Sequence, residues 1–177
     1  MKRIAILSSV SVMLLMFAAV ALAQSSAPKP APELKQADVW VGDWVFSGTG
    51  KDSPAGPEHT VEWRPHCHWI LSGIFLEWDS NWKGNGAELQ FLEIAAYDPI
   101  KKVYSVSGFA NDGSTWALTS TFDKDTWVDT FANGCRNTFH FSADGMAASG
   151  IQECEQKGVR WTVWQLKGTK TKPAAKK

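Results

Sequence analysis

The feature that most limits how this chain can fold is its rhythm. From Val41 to Lys167 a turn signal interrupts the sequence about every ten residues, the spacing of consecutive short strands. The β-rich runs cover 41–49, 59–64, 67–71, 73–82, 88–97, 102–109, 114–122, 126–132, 135–142, 147–154 and 159–167. The breaks are chemically explicit: Asp52-Ser53-Pro54-Ala55-Gly56-Pro57, Lys83-Gly84-Asn85-Gly86, Asp98-Pro99, Asn111-Asp112-Gly113, Asp123-Lys124-Asp125, Asp144-Gly145 and Gln156-Lys157-Gly158. Gly and Asn there accept the positive φ that tight hairpins require. A short helical turn is expected over Glu33 to Val39, and no helix after Val41.

Several runs alternate. Ile74, Leu76, Trp78 and Trp82 share one face, while Glu77, Asp79 and Asn81 share the other. Val159, Trp161 and Val163 oppose Arg160 and Thr162. A period of two means one face buried and one wet. About ten such strands in one open sheet would leave two bare edges, and closing the sheet removes them. Nearly all connections are short. The expected fold is therefore all-β, an antiparallel up-and-down β-barrel of about ten strands over 34–167. A sandwich is the competing architecture.

The flanks speak to compartment. Lys2 and Arg3, an apolar run from Ile4 to Leu22, and the small residues of Ala21-Leu22-Ala23 have the layout of a secretory signal cleaved after Ala23. An uncleaved membrane anchor is the alternative, since the run is about long enough to span a bilayer. Residues 24–33 carry Pro28, Pro30 and Pro32 and read as a flexible linker. A mature chain from 24 onward is expected to be secreted, into the periplasm, with no stable membrane anchor. Residues 168–177 read as a disordered Lys-rich tail. The full chain has 18 basic and 18 acidic residues, a balance that excludes a strongly basic nucleic-acid binder.

One hairpin can be written out in register. With Asp144-Gly145 as the turn, Phe141 faces Ala148, Phe139 faces Gly150, Arg136 faces Glu153, and Cys135 faces Cys154. Directly opposed Cα atoms lie within disulfide range, so Cys135–Cys154 is expected to form in an oxidising compartment. Cys67 is then the odd thiol, and buried.

At Val41-Gly42-Asp43-Trp44 the G-x-W of a first strand resembles the lipocalin-like, or calycin, superfamily. Tyr97-Asp98-Pro99, with Tyr104 across a short turn, is similar to the hairpin of an uncharacterised secreted bacterial domain family in that group. The resemblance covers 34–167. It implies a barrel with a central cavity, Trp44 packed structurally across the barrel bottom, and no established activity. A neighbouring branch, the nitrobindin-like haem proteins, also opens on a glycine-tryptophan strand and ligates haem through a late-strand histidine. Here His140 is on a late strand, but opposite in parity to Phe139 and Phe141, and its surroundings do not match.

Local chemistry is sparse. His66-Cys67-His68 puts two histidines on one strand face, a possible metal pair with His59, Glu62 or His140 as third ligand. If the alternation runs unbroken through Pro65, both face solvent with Glu62 and Arg64. Glu77, Asp79 and Glu93 are the candidate carboxylates for acid/base work. There is no nucleophile elbow, zincin helix or phosphate loop. What stands out is tryptophan, ten in number. Indole faces suit flat apolar ligands, sugars and cations. Trp78, Trp82, Trp116, Trp127 and Trp161 are the candidate ligand contacts. The function expected is binding of an apolar or amphipathic small molecule, without catalysis, metal or cofactor. The rivals are a carbohydrate-binding or adhesion module with exposed coplanar indoles, a haem or metal barrel or a hydrolase, and a structural barrel filled solid.

Overall fold

A computed structural model describes residues 30–156 and 158–171, with the backbone alone at Gln156. The signal over 1–23, most of the linker and the end of the tail lie outside the described residues. Ten antiparallel strands follow one short helix: β1 (Gly42–Gly50), β2 (His59–Ile70), β3 (Phe75–Gly84), β4 (Ala87–Asp98), β5 (Val103–Ala110), β6 (Thr115–Asp123), β7 (Thr126–Phe131), β8 (Arg136–Phe141), β9 (Ala147–Gln156) and β10 (Val159–Lys170). Each pairs with its sequence neighbour, and β1 pairs with β10, so the sheet is a closed barrel. Among the described residues no helix is long and apolar enough to cross a membrane.

The two runs written as 59–64 and 67–71 are a single strand, β2. Pro65 interrupts them in sequence but not in space: it pairs with Ser80 on β3, and lies where the β1–β2 ladder skips from Asp43↔His66 to Phe46↔Trp63. Proline has no N–H to give, so it fits where the ladder makes no demand. Alternation stays in phase across it, with Val61, Trp63, Pro65 and Cys67 buried. Asn85 and Gly86 both take positive φ, as a two-residue hairpin turn requires.

The tail boundary moves. Gly168, Thr169 and Lys170, expected in the disordered segment, belong to β10 and close the barrel on Phe46, Val45 and Trp44. Gly168 reads as linker because it has no side chain, yet that is its use: a β-carbon there would overlap the Phe46 ring. The same device recurs at Gly108 beneath Trp116 and at Gly150 beneath Phe139. Each ring lies flat over a bare cross-strand backbone, and a narrow barrel thereby holds more aromatic area.

One barrel end is sealed. A 3-10 helix, Pro32–Val39, lies across it and buries Leu34 and Ala37. Trp40 follows directly and is 1% exposed. Its ring has seven aromatic neighbours: Trp44, Phe46, Trp63, Trp78, Trp127, Phe139 and Phe141, with centroids at 4.8–6.3 Å. Polar ties fix the plug. Trp44 Nε1 donates to Trp40 O at 2.8 Å, Tyr104 Oη to Glu33 O at 2.9 Å, Trp69 Nε1 to Asp38 Oδ1 at 2.6 Å, and Lys170 Nζ to Val39 O at 2.8 Å. Burial drives the Tyr104 phenol up to about 12. Trp44 thus packs across the closed end, stacked 5.4 Å from Phe46.

The other end carries the disulfide. Cys135 and Cys154 are bonded, and Arg136↔Glu153, Phe139↔Gly150 and Phe141↔Ala148 pair as the hairpin register requires. The bond closes a loop of sequence separation 19, worth about 3 kcal/mol in the chain-entropy account. The turn of this hairpin, at the sealed end, is longer than Asp144-Gly145: β8 ends at Phe141, β9 begins at Ala147, and Gly145 N–H bonds back to Ser142 O. Asp144 Oδ1 accepts from Ser142 Oγ and Met146 N–H and holds that loop.

Candidate functional site

A cavity of about 250 Å³ lies inside the barrel, between the Trp40 plug and the end away from the helix. Trp40 and Trp127 form its inner part. Trp82, Leu89, Trp116, Phe131 and Gln152, near the strand ends remote from the plug, form its outer part. The walls are mainly indole, phenyl and aliphatic.

Of the five tryptophans singled out in the sequence, Trp78, Trp82, Trp116 and Trp127 line the cavity. Trp161 does not; it lies in an outer groove beside Thr49, Lys51 and Pro54. It sits beyond the cavity, toward the β9–β10 hairpin, and a bulge in β10 separates it from Trp164. Trp161 pairs with Cys154 and Thr162 with Glu153, but Trp164 pairs with Gln152, so Val163 is the extra residue. Its carbonyl accepts from Lys51 N–H at 2.7 Å instead. The alternation Val159, Trp161, Val163 therefore breaks, and Trp164 takes the inward place. Trp40, Trp63 and Trp164 are lining residues that the sequence did not single out.

Polar groups break the inward apolar pattern, three of them on β4, β7 and β8. Glu93 lies between Phe91 and Ala95, Asp129 between Trp127 and Phe131, and Asn137 just before Phe139 on the same parity. All three line the cavity. That mismatch of polarity and parity is legible in the sequence once the faces are known. Asp129 is fully engaged: Oδ1 accepts from Ser120 Oγ at 2.7 Å and Trp127 Nε1 at 2.6 Å, and Oδ2 accepts from Asn137 Nδ2 at 3.0 Å. Asn137 Oδ1 accepts in turn from Gln152 Nε2 at 2.8 Å. Burial nevertheless raises the Asp129 carboxyl above the usual range, against the pull of its bonds to Ser120, Asn137 and Trp127.

Glu93 is held by less. Its Oε1 accepts from Trp116 Nε1 at 2.7 Å, a bond made possible because the Trp116 ring lies over Gly108. No donor to Oε2 is found among the described residues. Burial, with Asp129 as a nearby like charge, pushes the Glu93 carboxyl up to about 7. Glu77 and Asp79, the other candidate carboxylates, are on the opposite parity of β3 from the cavity-lining Trp78 and Trp82. They make no pair with Glu93.

His66, His68 and His140 face away from the cavity. His66 is 55% exposed at its side chain and lies 2.6 Å from Asp43 Oδ1; His68 is 3.6 Å from Glu77 Oε1. Their rings are 5.1 Å apart, but no group of three metal-ligating side chains occurs among the described residues. His140 is exposed and meets Thr126 Oγ1 at 3.0 Å. Cys67 is buried, and burial drives its thiol well above the ordinary range.

No family model matches the sequence, and no curated protein matches it. Solved structures do match in shape. The crystal structure of Rv2717c from M. tuberculosis aligns with a TM-score of 0.61, over 81% of this chain and 100% of that one, at 13% identity. Likeness at that identity speaks to the fold alone.

Proposed function

We propose that this chain is a secreted barrel that binds a compact, largely apolar small molecule and performs no catalysis. The observation that carries the reading is the aromatic cavity above a sealed barrel floor. Its size sets the ligand. An apolar void of about 150 Å³ holds benzene, and drug-sized pockets begin near 300 Å³. At about 250 Å³ the cavity suits one or two fused rings. A preformed aromatic wall desolvates such a molecule, while Glu93 and Asn137 offer polar handles.

None of the ten tryptophans is exposed, which speaks for an interior site over an outer sugar platform. Secretion is supported by the signal-like leader and by the Cys135–Cys154 bond, which needs an oxidising compartment. Membership of the lipocalin-like group is supported by the G-x-W strand and by the closed barrel.

The test has two arms. Native mass spectrometry of protein from its own host is expected to show a retained molecule. Calorimetric titration with indole is expected to show one saturable site, lost in a Val106→Phe, Leu118→Trp double variant. Both residues line the cavity, and the larger side chains occupy much of its space. A variant that stays folded and still binds indole would refute an interior site.

A further inference from the structure

Seventeen of the described residues line the cavity; the charged ones among them are Glu93 and Asp129, and none is lysine, arginine or histidine. The rest of the wall is dominated by indole faces. Carboxylate and indole face attract the same kind of group, a positive charge carried on an organic skeleton. An anionic ligand would meet two acids and no cation. A wholly apolar ligand would leave Glu93 Oε2 without a donor in a dry site.

Resting on the small-molecule reading above, we infer that the cavity takes an aromatic organic cation, its ring among the tryptophans and its ammonium or amidinium group against Glu93. Glu93 is the partner rather than Asp129, because both Asp129 oxygens are already taken by Ser120, Trp127 and Asn137. The Trp116 bond occupies Oε1 only and so aims the second oxygen. Glu93 keeps some accessible surface, and it lines the cavity.

The groups around Glu93 set how binding follows pH. Trp78 of β3 and Gly108 of β5 flank it in the sheet, and Trp116 of β6 donates to it. Asp129 of β7 acts on it as a negative charge. Cys67 of β2 lies one strand beyond Trp78 in the same row and stays a neutral thiol. Below about 7 the free protein holds a proton on Glu93. A cation must expel that proton to bind, so its affinity rises with pH until the carboxylate is formed.

The experiment is calorimetry of the mature protein with three probes of similar size: phenethylamine, 2-phenylethanol and phenylacetate, at pH 5.5 and 8.5. The amine stays protonated over most of this range. At pH 8.5 it is expected to bind on the order of tenfold more tightly than the alcohol, the worth of a charge-assisted hydrogen bond in a dry site. Phenylacetate is expected to bind weakest. The amine's advantage shrinks on the order of tenfold at pH 5.5 and vanishes in Glu93→Gln, while Glu77→Gln, on the opposite strand face, leaves it intact. Alcohol binding equal to amine binding, or an amine preference that survives Glu93→Gln, overturns the inference and leaves the small-molecule reading standing. If neither the amine nor indole binds, both fall.

Discussion

At the sealed end of the barrel Trp40 meets seven aromatic rings and almost no solvent. At the other end Trp116 meets Phe91 at 5.5 Å, a carboxylate, and an open space. The same residue type does different work in the two places. Around Trp40 six of the seven rings meet it edge-to-face, and the N–H of one of them, Trp44, bonds to the Trp40 carbonyl. Around Trp116 and Trp127 the indoles are steered by N–H bonds to acids that the fold has buried at a cost. The contrast teaches how a small barrel divides its tryptophans: ring packing, tied mainly to backbone carbonyls, closes the floor, and bonds to buried acids hold the walls apart above it.

The largest expected effect is at the floor. Trp40→Ala removes the hub of that cluster and leaves a void that seven rings cannot jointly collapse into. The loss is expected at about 3–5 kcal/mol, the range for a buried aromatic cut to alanine, read by urea unfolding. A loss under about 1 kcal/mol would mean that the helix and Trp40 are an accessory plug and not part of the core.

The wall responds to pH in a way the floor does not. Glu93 titrates near 4.5 when free and at about 7 in the fold. Below 4.5 it is neutral in both states and costs nothing. As pH rises from 4.5 to 7 the unfolded chain gives up its proton more readily, so stability falls, then levels off above 7. The span is about 3 kcal/mol for a shift of this size. Glu93→Gln is therefore expected to stabilise the protein at pH 8 by up to that amount and to change little at pH 4.5. Urea unfolding at both values checks it. Asp129 is shifted the same way, so some slope remains in the variant. An unchanged slope would remove Glu93 from the account.

The same division explains what the sequence disclosed. Strand existence and order were legible because Asn85-Gly86, Asp98-Pro99 and Asp144-Gly145 punctuate the chain with turn chemistry that depends on a few neighbours. The Cys135–Cys154 pair was legible because hairpin register is arithmetic from one turn. Trp78 and Trp82 were legible from the alternation of β3, Trp116 and Trp127 only from their mid-barrel positions. Trp164 was not legible, because the one-residue bulge at Val163, which moves the inward parity onto Trp164, leaves no mark in composition. Asp129 was missed because an acid between Trp127 and Phe131 reads as one more solvent-side residue until Ser120 and Asn137 arrive from neighbouring strands to bond it. The end of β10 was missed because Gly168-Thr169-Lys170 looks like tail, and only Phe46, more than a hundred positions earlier, gives that glycine its reason.

Two glycines bring floor and wall to one measurement. Gly168 lies under Phe46, which is fully buried, and Gly108 lies under Trp116, which borders the cavity. A methyl group at either overlaps the ring above it. Phe46 is stacked against Trp44 and Trp63 at 5.4 and 5.0 Å and has nowhere to go. Trp116 can swing into open space, giving up its bond to Glu93. Overpacking in cores costs about 1–3 kcal/mol. Gly168→Ala is expected at the upper end of that range and Gly108→Ala at the lower. Gly108→Ala carries a second sign: with the Trp116 bond gone, the Glu93 carboxyl rises further, and the pH-dependent fall in stability moves to higher pH. Equal losses at the two sites, with no movement of that fall, would mean that the wall is packed as tightly as the floor.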